Sequence, residues 1–395
     1  MLIQNNTRKN MKEFTFNTTP NIRFGVGMLS HINTIDLIKA ESRILLITDP
    51  GISQTKILDQ AINSIELSKS EVMVFSEVQS DPPESTVMDA TNLAIKNNIN
   101  LIIGLGGGSS MDVAKLVAVL ALEKQSLSEI YGIGNAKGPR LPLILIPTTA
   151  GTGSEVTAVS IITTGDTEKM GAVSPILIPD VAILDPEITI DLPPHITAAT
   201  GIDAMVHAIE AYTSTSTNNN PISKHLSLEA LKLMGSSVEK AVHDGSDIVA
   251  RSNMLLGSMY AGQAFANSPV AAVHALAYPL GGHYKIPHGL SNALVLPYVL
   301  DFNAKTDPQK YAEIAPYVFP NIGGNGSQET AQEFIEKIIN LINRCGLQQK
   351  LREVGVDKES LPLLAKEAMK QTRLLVNNPR EITEIDALSI YKAAW

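Results

Sequence analysis

The chain has 395 residues, of which 44% are hydrophobic and 18% charged, and its formal net charge is -9. This length exceeds what one core usually supports, so we expect two domains, and the negative charge disfavours nucleic-acid and membrane partners. A single cysteine, Cys345, allows no internal disulfide, and the polar N-terminal segment is unlike a secretory signal, so a cytoplasmic protein is expected.

Four short runs of β-forming residues alternate with amphipathic segments in the first half of the chain. They are ILLIT at 44–48, EVMVF at 71–75, LIIGL at 101–105 and PLILIP at 142–147. This alternation predicts a mostly parallel, doubly wound α/β sheet of the Rossmann-like kind. The apolar stretch 101–122 contains four glycines and two charges, which predicts a buried strand, a loop and a helix rather than a membrane span.

A glycine-rich turn follows the third of these runs and leads into a predicted helix. Its residues are Gly106, Gly107, Gly108 and Ser109. Free backbone amides at a helix N-terminus can bind a pyrophosphate, although a plain strand-to-helix turn is the alternative. The spacing is neither G-x-G-x-x-G nor a Walker motif, which disfavours an ordinary Rossmann fingerprint and an NTPase.

Two further polar segments also follow predicted strands. Asp49 ends the first run, where a carboxylate could accept hydrogen bonds from a ribose diol or could simply begin a Pro-Gly turn. The loop at 147–157 offers the hydroxyls of Thr148, Thr149, Thr152 and Ser154. We expect this loop to form the other wall of a cofactor cleft.

The second half of the chain has a different pattern. Strand signals end near residue 190, where three prolines interrupt regular structure, and long apolar stretches rich in Ala, Leu, Met and His follow. We therefore predict a nucleotide-binding α/β domain at residues 1–190 and an all-helical domain at residues 191–395.

Four residues of the helical half form a candidate metal site. Asp203 and His207 are four apart, so on a helix they lie on one face. His274 and His288 bracket a glycine- and proline-containing segment, and we expect it to break the helix and let a helix residue and a loop residue converge. One carboxylate and three imidazoles suit Fe²⁺ or Zn²⁺ and leave a position for substrate, although any single histidine could be a core residue instead.

Taken together, these segments resemble the iron-containing, or group III, alcohol dehydrogenase family over nearly the whole chain. The matching motifs are FGVG (24–27), GGGS (106–109), PTTAGTGSE (147–155), the stretches 191–214 and 274–289, and NPR (378–380). The resemblance implies a dinucleotide-binding N-terminal domain, an all-α C-terminal domain of dehydroquinate synthase-like architecture, a metal between them and a tendency to form homodimers.

The resemblance also implies roles for particular residues. The implied metal ligands are Asp203, His207, His274 and His288. The implied cofactor contacts are Asp49, the triple glycine, Thr148 and Thr149. A carboxylate at Asp49 would repel a 2'-phosphate, which favours NAD over NADP.

The expected reaction is reversible oxidation of a small alcohol to an aldehyde, with hydride transfer to NAD beside an Fe²⁺ or Zn²⁺ ion. Apolar candidates for the pocket wall, Val156, Phe265 and Leu276, favour a neutral substrate. Three alternatives remain: a polyol or hydroxy-acid dehydrogenase, a lyase like dehydroquinate synthase, and a regulatory protein that binds NAD without turnover.

One position departs from the family pattern. Many members have a second histidine four residues after the third metal ligand, and this chain has Tyr278 there. A phenol with a pKa of about 10 is a poor proton acceptor at neutral pH. Our hypothesis is that His283 carries the alcohol proton to solvent while Tyr278 shapes the pocket. The alternative is that His283 is a solvated loop residue and the proton leaves through water or ribose hydroxyls.

Overall fold

The computed structural model describes residues 13–165, 168–324 and 326–395. Its first half contains nine strands: β1 (Asn21–Phe24), β2 (Arg43–Ile47), β3 (Glu71–Phe75), β4 (Leu101–Gly106), β5 (Gly132–Ile133), β6 (Leu143–Pro147), β7 (Val159–Thr164), β8 (Glu168–Val173) and β9 (Val181–Leu184). Six of them form an all-parallel sheet in the order β1-β9-β6-β4-β2-β3. The predicted parallel α/β sheet is therefore confirmed.

Alternate residues of the central strands pack on opposite faces of this sheet. On β2, Leu45 and Ile47 join one apolar cluster, whereas Ile44 and Leu46 join the other. The connecting helices cover these faces: α1 (Lys56–Glu66), α2 (Glu84–Lys96), α3 (Gly108–Leu120) and the short α4 (Leu127–Ile130). Strands buried on both faces explain why the runs at 101–105 and 142–147 are continuously hydrophobic.

A second, three-stranded sheet lies next to the large one. β7 and β8 pair antiparallel, and β5 adds to β8 in parallel. This small sheet was not predicted from the sequence. It is relevant to function because Val159, Ile161 and Val173 from β7 and β8 line the main cavity.

Beyond β9 the described residues form helices and contain no further strand. The helices are α5 (Pro194–Thr213), α6 (Pro221–Gly235), α7 (Val238–His243), α8 (Ile248–Asn267), α9 (Ala272–Tyr284), α10 (His288–Ala304), α11 (Pro308–Val318), α12 (Ser327–Arg344), α13 (Leu361–Ala368), α14 (Thr372–Leu375) and α15 (Glu384–Ala394). The predicted all-helical second half is confirmed. In the part of the chain that the structure describes, no helix is both long and apolar enough to cross a bilayer.

Helix α5 lies at the centre of the helical half. Every residue from Gly201 to Thr213 is buried, and the helix packs against α6, α8 and α10. Because residues 201–213 are buried, their polar side chains have little contact with bulk water. Such groups need internal partners, which is the setting in which a ligand cluster forms.

The predicted helix break between His274 and His288 is wrong in its extent. Helix α9 continues through Pro279 and the two glycines to Tyr284, and only residues 285–287 interrupt the helices. Pro279 cannot donate to the Ala275 carbonyl one turn earlier, yet the helix continues because α9 is buried among other helices. His288 is consequently the first residue of α10 and not a loop residue.

Candidate metal centre and cofactor cleft

The four predicted metal ligands come together from three helices. Asp203 and His207 lie on α5, His274 on α9 and His288 at the start of α10. One ligand atom from each lies within 4.8 Å of the others. Asp203, His207 and His274 are buried, whereas the His288 side chain is 39% exposed. The cluster is therefore enclosed by protein at Asp203, His207 and His274 and is accessible from the cavity at His288.

Hydrogen bonds fix which nitrogen of two imidazoles is free. His207 Nδ1 lies 3.2 Å from Gly151 O, and His274 Nδ1 lies 2.6 Å from Glu210 Oε2. A carbonyl or carboxylate oxygen only accepts, so both Nδ1 atoms carry hydrogen and both Nε2 atoms keep a free lone pair. His274 Nε2 and His288 Nε2 lie 3.9 and 3.7 Å from Asp203 Oδ1.

Burial also sets the charges of the cluster. It lowers the pKa of His207 to about 3 and lowers the pKa of His288, so these imidazoles are neutral at neutral pH. Burial favours a neutral Asp203, but the three histidines and an amide donor outweigh it and lower the pKa of that carboxyl. One carboxylate and three imidazoles are the donor set that suits Fe²⁺ or Zn²⁺.

Two residues beside the cluster were missed by the sequence analysis. Asn292 Nδ2 donates to Asp203 Oδ1 at 2.5 Å and lies 3.3 Å from the Nε2 atoms of His274 and His288. The buried Asn292 Oδ1 has no partner among the described residues, which is the mark of a site that a further group completes. The second is Glu210. Helical spacing could have found both, since Glu210 is three residues after His207 and Asn292 four after His288.

The glycine loop forms an open cradle at the end of β4. A Cβ built on Gly107 would meet only the side chain of Thr149, at 3.7 Å, and otherwise points into free space. A Cβ on Gly108 would lie 2.8 Å from Thr152 Cγ2, so glycine there permits close packing of the two loops. The first amides of α3 border this space, which suits an anionic group.

Asp49 lies half-buried beside this cradle. Its Oδ1 accepts from the amides of Gly51 and Ile52 at 2.9 and 3.0 Å, so the residue does begin a turn. Its Oδ2 accepts from the Ser110 hydroxyl at 3.4 Å and would lie 3.0 Å from a Cβ at Gly106. One carboxylate oxygen thus stabilises the turn while the other faces the glycine loop.

The second polar loop lies against the first, as its sequence position suggested. The Thr148 amide donates to Gly106 O at 3.0 Å, and Thr149 and Thr152 contact Gly107 and Gly108. Ser154 has a different environment. Its hydroxyl donates to Asp112 Oδ1 and accepts from Lys115 Nζ, both at 2.7 Å, so internal partners already occupy it.

A cavity of about 310 Å³ connects the loops to the ligand cluster. The cofactor-loop residues on its wall are Gly108, Ser109, Thr152 and Ser154, and the ligand residues are His207, His274 and His288. Phe265 lines it and stacks on His207 with ring centres 4.4 Å apart. Val156 and Leu276, predicted as wall residues, are instead fully buried in the helical core.

The structure brings Tyr278 to the cavity but not His283. The Tyr278 ring centre lies 5.8 Å from that of His288, and burial raises the pKa of the phenol. His283 lies near the end of α9 rather than in a glycine turn, its side chain is exposed, and it is absent from the cavity wall. The position of His283 therefore agrees with a solvated histidine.

The fold and the site define a class of protein before any comparison. A parallel sheet with an anion cradle, joined through one cavity to a carboxylate and three histidines, is the arrangement of a dinucleotide- and metal-dependent oxidoreductase. Sequence comparison gives the family. Residues 19–186 match iron-containing alcohol dehydrogenase, and residues 197–395 match the C-terminal part of the Fe-containing alcohol dehydrogenase family. The chain belongs to the iron-containing alcohol dehydrogenase family and is an alcohol dehydrogenase, as the motifs predicted.

Individual relatives and structures agree with this assignment. The chain is 41% identical to long-chain-alcohol dehydrogenase 1 of Geobacillus thermodenitrificans over 89% of both chains. It is 34% identical to 1,3-propanediol dehydrogenase of Klebsiella pneumoniae over 95% of this chain and 97% of that one. The solved 1,3-propanediol oxidoreductase superposes with a TM-score of 0.93 at 33% identity, covering 97% and 100% of the chains.

A further solved structure bears on the cofactor. The sulfoacetaldehyde reductase from Bifidobacterium kashiwanohense, crystallised in complex with NAD⁺, has a TM-score of 0.86 and is 30% identical over 97% of this chain and 98% of that one. A protein of this fold therefore binds NAD⁺.

Proposed function

We propose that this chain is an NAD-linked alcohol dehydrogenase in which Asp203, His207, His274 and His288 hold one divalent ion. The observation that carries the proposal is their convergence within 4.8 Å. Their three histidines line the same cavity as Gly108 and Ser109 of the glycine loop. We also propose that the chain divides near residue 190 into an NAD-binding domain (1–190) and a helical metal-binding domain (191–395). The cavity then lies where the two meet.

The residues around the proposed ion fit that role. The deprotonated Asp203 and the neutral imidazoles of His207 and His288 need no change of protonation to bind a cation at neutral pH. The donor set does not by itself choose the metal, because Fe²⁺ and Zn²⁺ both accept mixed nitrogen and oxygen ligands. We propose Fe²⁺, with Zn²⁺ as the alternative.

The proposed cofactor site is the cradle formed by Gly106, Gly107, Gly108 and Ser109, facing the loop that carries Thr148, Thr149, Thr152 and Ser154. Free amides at the start of α3 would bind the pyrophosphate. Asp49 Oδ2 faces the same cradle, where a ribose hydroxyl could donate to it but a 2'-phosphate would be repelled. This favours NAD over NADP.

When bound, the ion would supply a Lewis acid that lowers the pKa of the substrate hydroxyl, and the dinucleotide would supply the hydride acceptor. The chain's own residues position these partners. Gly151 O and Glu210 hold the rings of His207 and His274, and Phe265 covers one face of His207 against water. Since Tyr278 is a weak acid and His283 lies outside the cavity, we infer that the alcohol proton leaves through water or the ribose hydroxyls.

One observation favours a second candidate, a dehydrogenase for polyols or acidic alcohols. Arg373 lines the cavity beside Tyr278. Lys169 lines it too, but its charge is paired with Asp81 at 2.6 Å. The Arg373 guanidinium could bind a hydroxyl or an anionic group distant from the reacting carbon. The compounds 1,3-propanediol and sulfoacetaldehyde, after which two relatives are named, carry such groups.

We further propose that the enzyme is a cytoplasmic homodimer. The resemblance to a dimer-forming family supports the assembly, and a chain whose single cysteine is buried supports a reducing compartment. Sedimentation analysis at two protein concentrations tests the assembly. A dimer gives twice the mass of the chain, and the mass of a single chain would contradict the proposal.

The decisive test of the function is turnover after anaerobic reconstitution with Fe²⁺ or Zn²⁺. We expect metal-dependent oxidation of NADH with aldehydes, and faster turnover with NADH than with NADPH. The panel should pair straight-chain aldehydes with hydroxy- and carboxy-aldehydes of equal length, assayed in the parent and in Arg373→Met. A loss confined to the polar aldehydes in the variant identifies the second candidate. Absence of net NADH oxidation with every aldehyde would contradict both.

A further inference from the structure

Glu210 is a buried carboxylate one helical turn after His207 on α5. It is 4% exposed, and no Lys or Arg side chain forms an ion pair with it within the described ranges of the chain. A carboxylate in such surroundings is costly unless several hydrogen-bond donors compensate for lost hydration. Its partners therefore indicate why the chain keeps it there.

Two of those partners are backbone amides at the start of α9. The Val273 amide donates to Glu210 Oε1 at 2.7 Å, and the Ala271 amide donates to Oε2 at 3.0 Å. The residue that precedes α9 is Ala271, whose side chain cannot accept a hydrogen bond, so the helix has no cap of its own. Glu210 supplies this cap from another helix and so fixes where α9 begins relative to α5.

The third partner is a proposed metal ligand. His274 Nδ1 donates to Glu210 Oε2 at 2.6 Å, a short charge-assisted bond. The bond sets the tautomer and the ring rotation of His274, and a carboxylate acceptor makes the opposite nitrogen a stronger donor to a metal. By contrast, His207 Nδ1 faces only a neutral carbonyl, that of Gly151.

We propose that Glu210 is the positioning residue of the metal centre, which fixes both the helix that carries His274 and the direction of His274 Nε2. This inference rests on the proposed function. It differs from a purely structural role, in which Glu210 would cap α9 and contribute only to stability. The two are separable because capping affects the free energy of unfolding, whereas orienting His274 affects how the site binds a metal.

The test uses Glu210→Gln, which has the same shape, with Asp185→Asn as the matched control. Asp185 is also a fully buried carboxylate that accepts from backbone amides, of Gly27 and Leu29 at 3.0 and 2.8 Å, but it bonds no histidine. Metal-free parent and variants are titrated with Co²⁺, whose visible spectrum reports ligand geometry. Thermal melts of the metal-free proteins measure the structural cost separately.

We expect Glu210→Gln to bind Co²⁺ about 10- to 100-fold more weakly and with an altered spectrum. Asp185→Asn should keep the parent affinity and spectrum although its melting temperature falls. Equal Co²⁺ affinity and spectrum in Glu210→Gln and the parent would overturn the inference, as would an equal loss in the control. If the parent itself binds no Co²⁺, the proposed function fails instead.

A measurement on the unmodified protein covers the case in which Glu210→Gln does not fold. In the Zn²⁺ form, with ¹⁵N-labelled histidine, the Nδ1–H proton of His274 should resonate far downfield and exchange slowly with water, as expected for a buried donor to a carboxylate. The His274→Gln spectrum identifies the signal by its loss. A His274 that is protonated on Nε2 would contradict the proposal.

Discussion

The glycine loop permits a prediction that separates ligand binding from folding. In Gly107→Ala the new Cβ meets only Thr149, at 3.7 Å, so the folded chain accommodates it without movement. The backbone at Gly107 is extended, with φ of -75°, and L-residues adopt it freely. The methyl group therefore fills space that the protein does not use but that a pyrophosphate at the start of α3 would need.

The expected magnitudes follow from this geometry. Alanine lowers the entropy of the unfolded chain, worth about 0.4–1 kcal/mol, but it is a poorer residue than glycine at a helix N-cap by a similar amount. Stability should therefore change by less than about 0.5 kcal/mol. Loss of one charge-assisted hydrogen bond to phosphate, about 1.5–3 kcal/mol, weakens NADH binding about 10- to 100-fold.

The assay is a fluorescence titration with NADH, accompanied by thermal melts. Gly25→Ala serves as control, because its Cβ meets only the Met28 side chain, at 3.4 Å. It should bind NADH like the parent. A folded Gly107→Ala protein with the parent Kd for NADH would refute the assignment of this loop to the pyrophosphate.

Three further predictions concern single side chains. Asp49→Asn keeps an oxygen to accept from Gly51 and Ile52 but removes the charge. Like charges about 4 Å apart repel by about 1–4 kcal/mol, so the ratio of kcat/KM for NAD over NADP should fall at least about fivefold. An unchanged ratio places Asp49 outside the adenosine site. His283→Gln should leave the pH profile of kcat unchanged, because the side chain is exposed outside the cavity, and loss of an ionisation near neutrality would restore the relay hypothesis. Burial lowers the pKa of Lys115 from about 10.5 to about 8. Between these two pH values the folded chain has released a proton that the unfolded chain keeps, so the free energy of unfolding rises with pH. The free energy of unfolding, measured with urea, should therefore rise more from about pH 8 to about pH 10 in the parent than in Lys115→Met. An equal change in the two proteins would contradict this prediction.

The sequence predicted the parts of the fold that have strong local patterns. β2, β4 and β6 are hydrophobic runs buried on both faces, β3 is a half-buried edge strand, and each of the four was found within a residue of its observed bounds. β9 has only four residues, which is too short for a clear sequence pattern. β7 and β8 depend on pairing with each other, and the local sequence does not show this pairing. The continuation of α9 through Pro279 has no local signal, because a proline usually ends or kinks a helix.

The candidate site divides in the same way. Asp203 and His207 were identified by helical spacing, His274 and His288 by residue type and by resemblance to the family, and the structure brings the four together. Glu210 and Asn292 lie at helical spacing from His207 and His288, but they were missed because a carboxylate or an amide on a helix is usually solvated. In the structure both are buried and form hydrogen bonds to the ligands. His283 was proposed as a proton relay because its neighbouring glycines suggested a turn. In the structure it lies on helix α9 with its side chain exposed.

The most direct test of the central claim is metal content measured together with NADH binding in the parent and His288→Ala. His288 is the proposed ligand at the open side of the cluster, so its removal should disturb the fold least. We predict one Fe²⁺ or Zn²⁺ per parent chain. His288→Ala should retain no ion and no turnover, and it should bind NADH within a few-fold of the parent. A metal-free His288→Ala protein with full alcohol dehydrogenase activity would contradict the account.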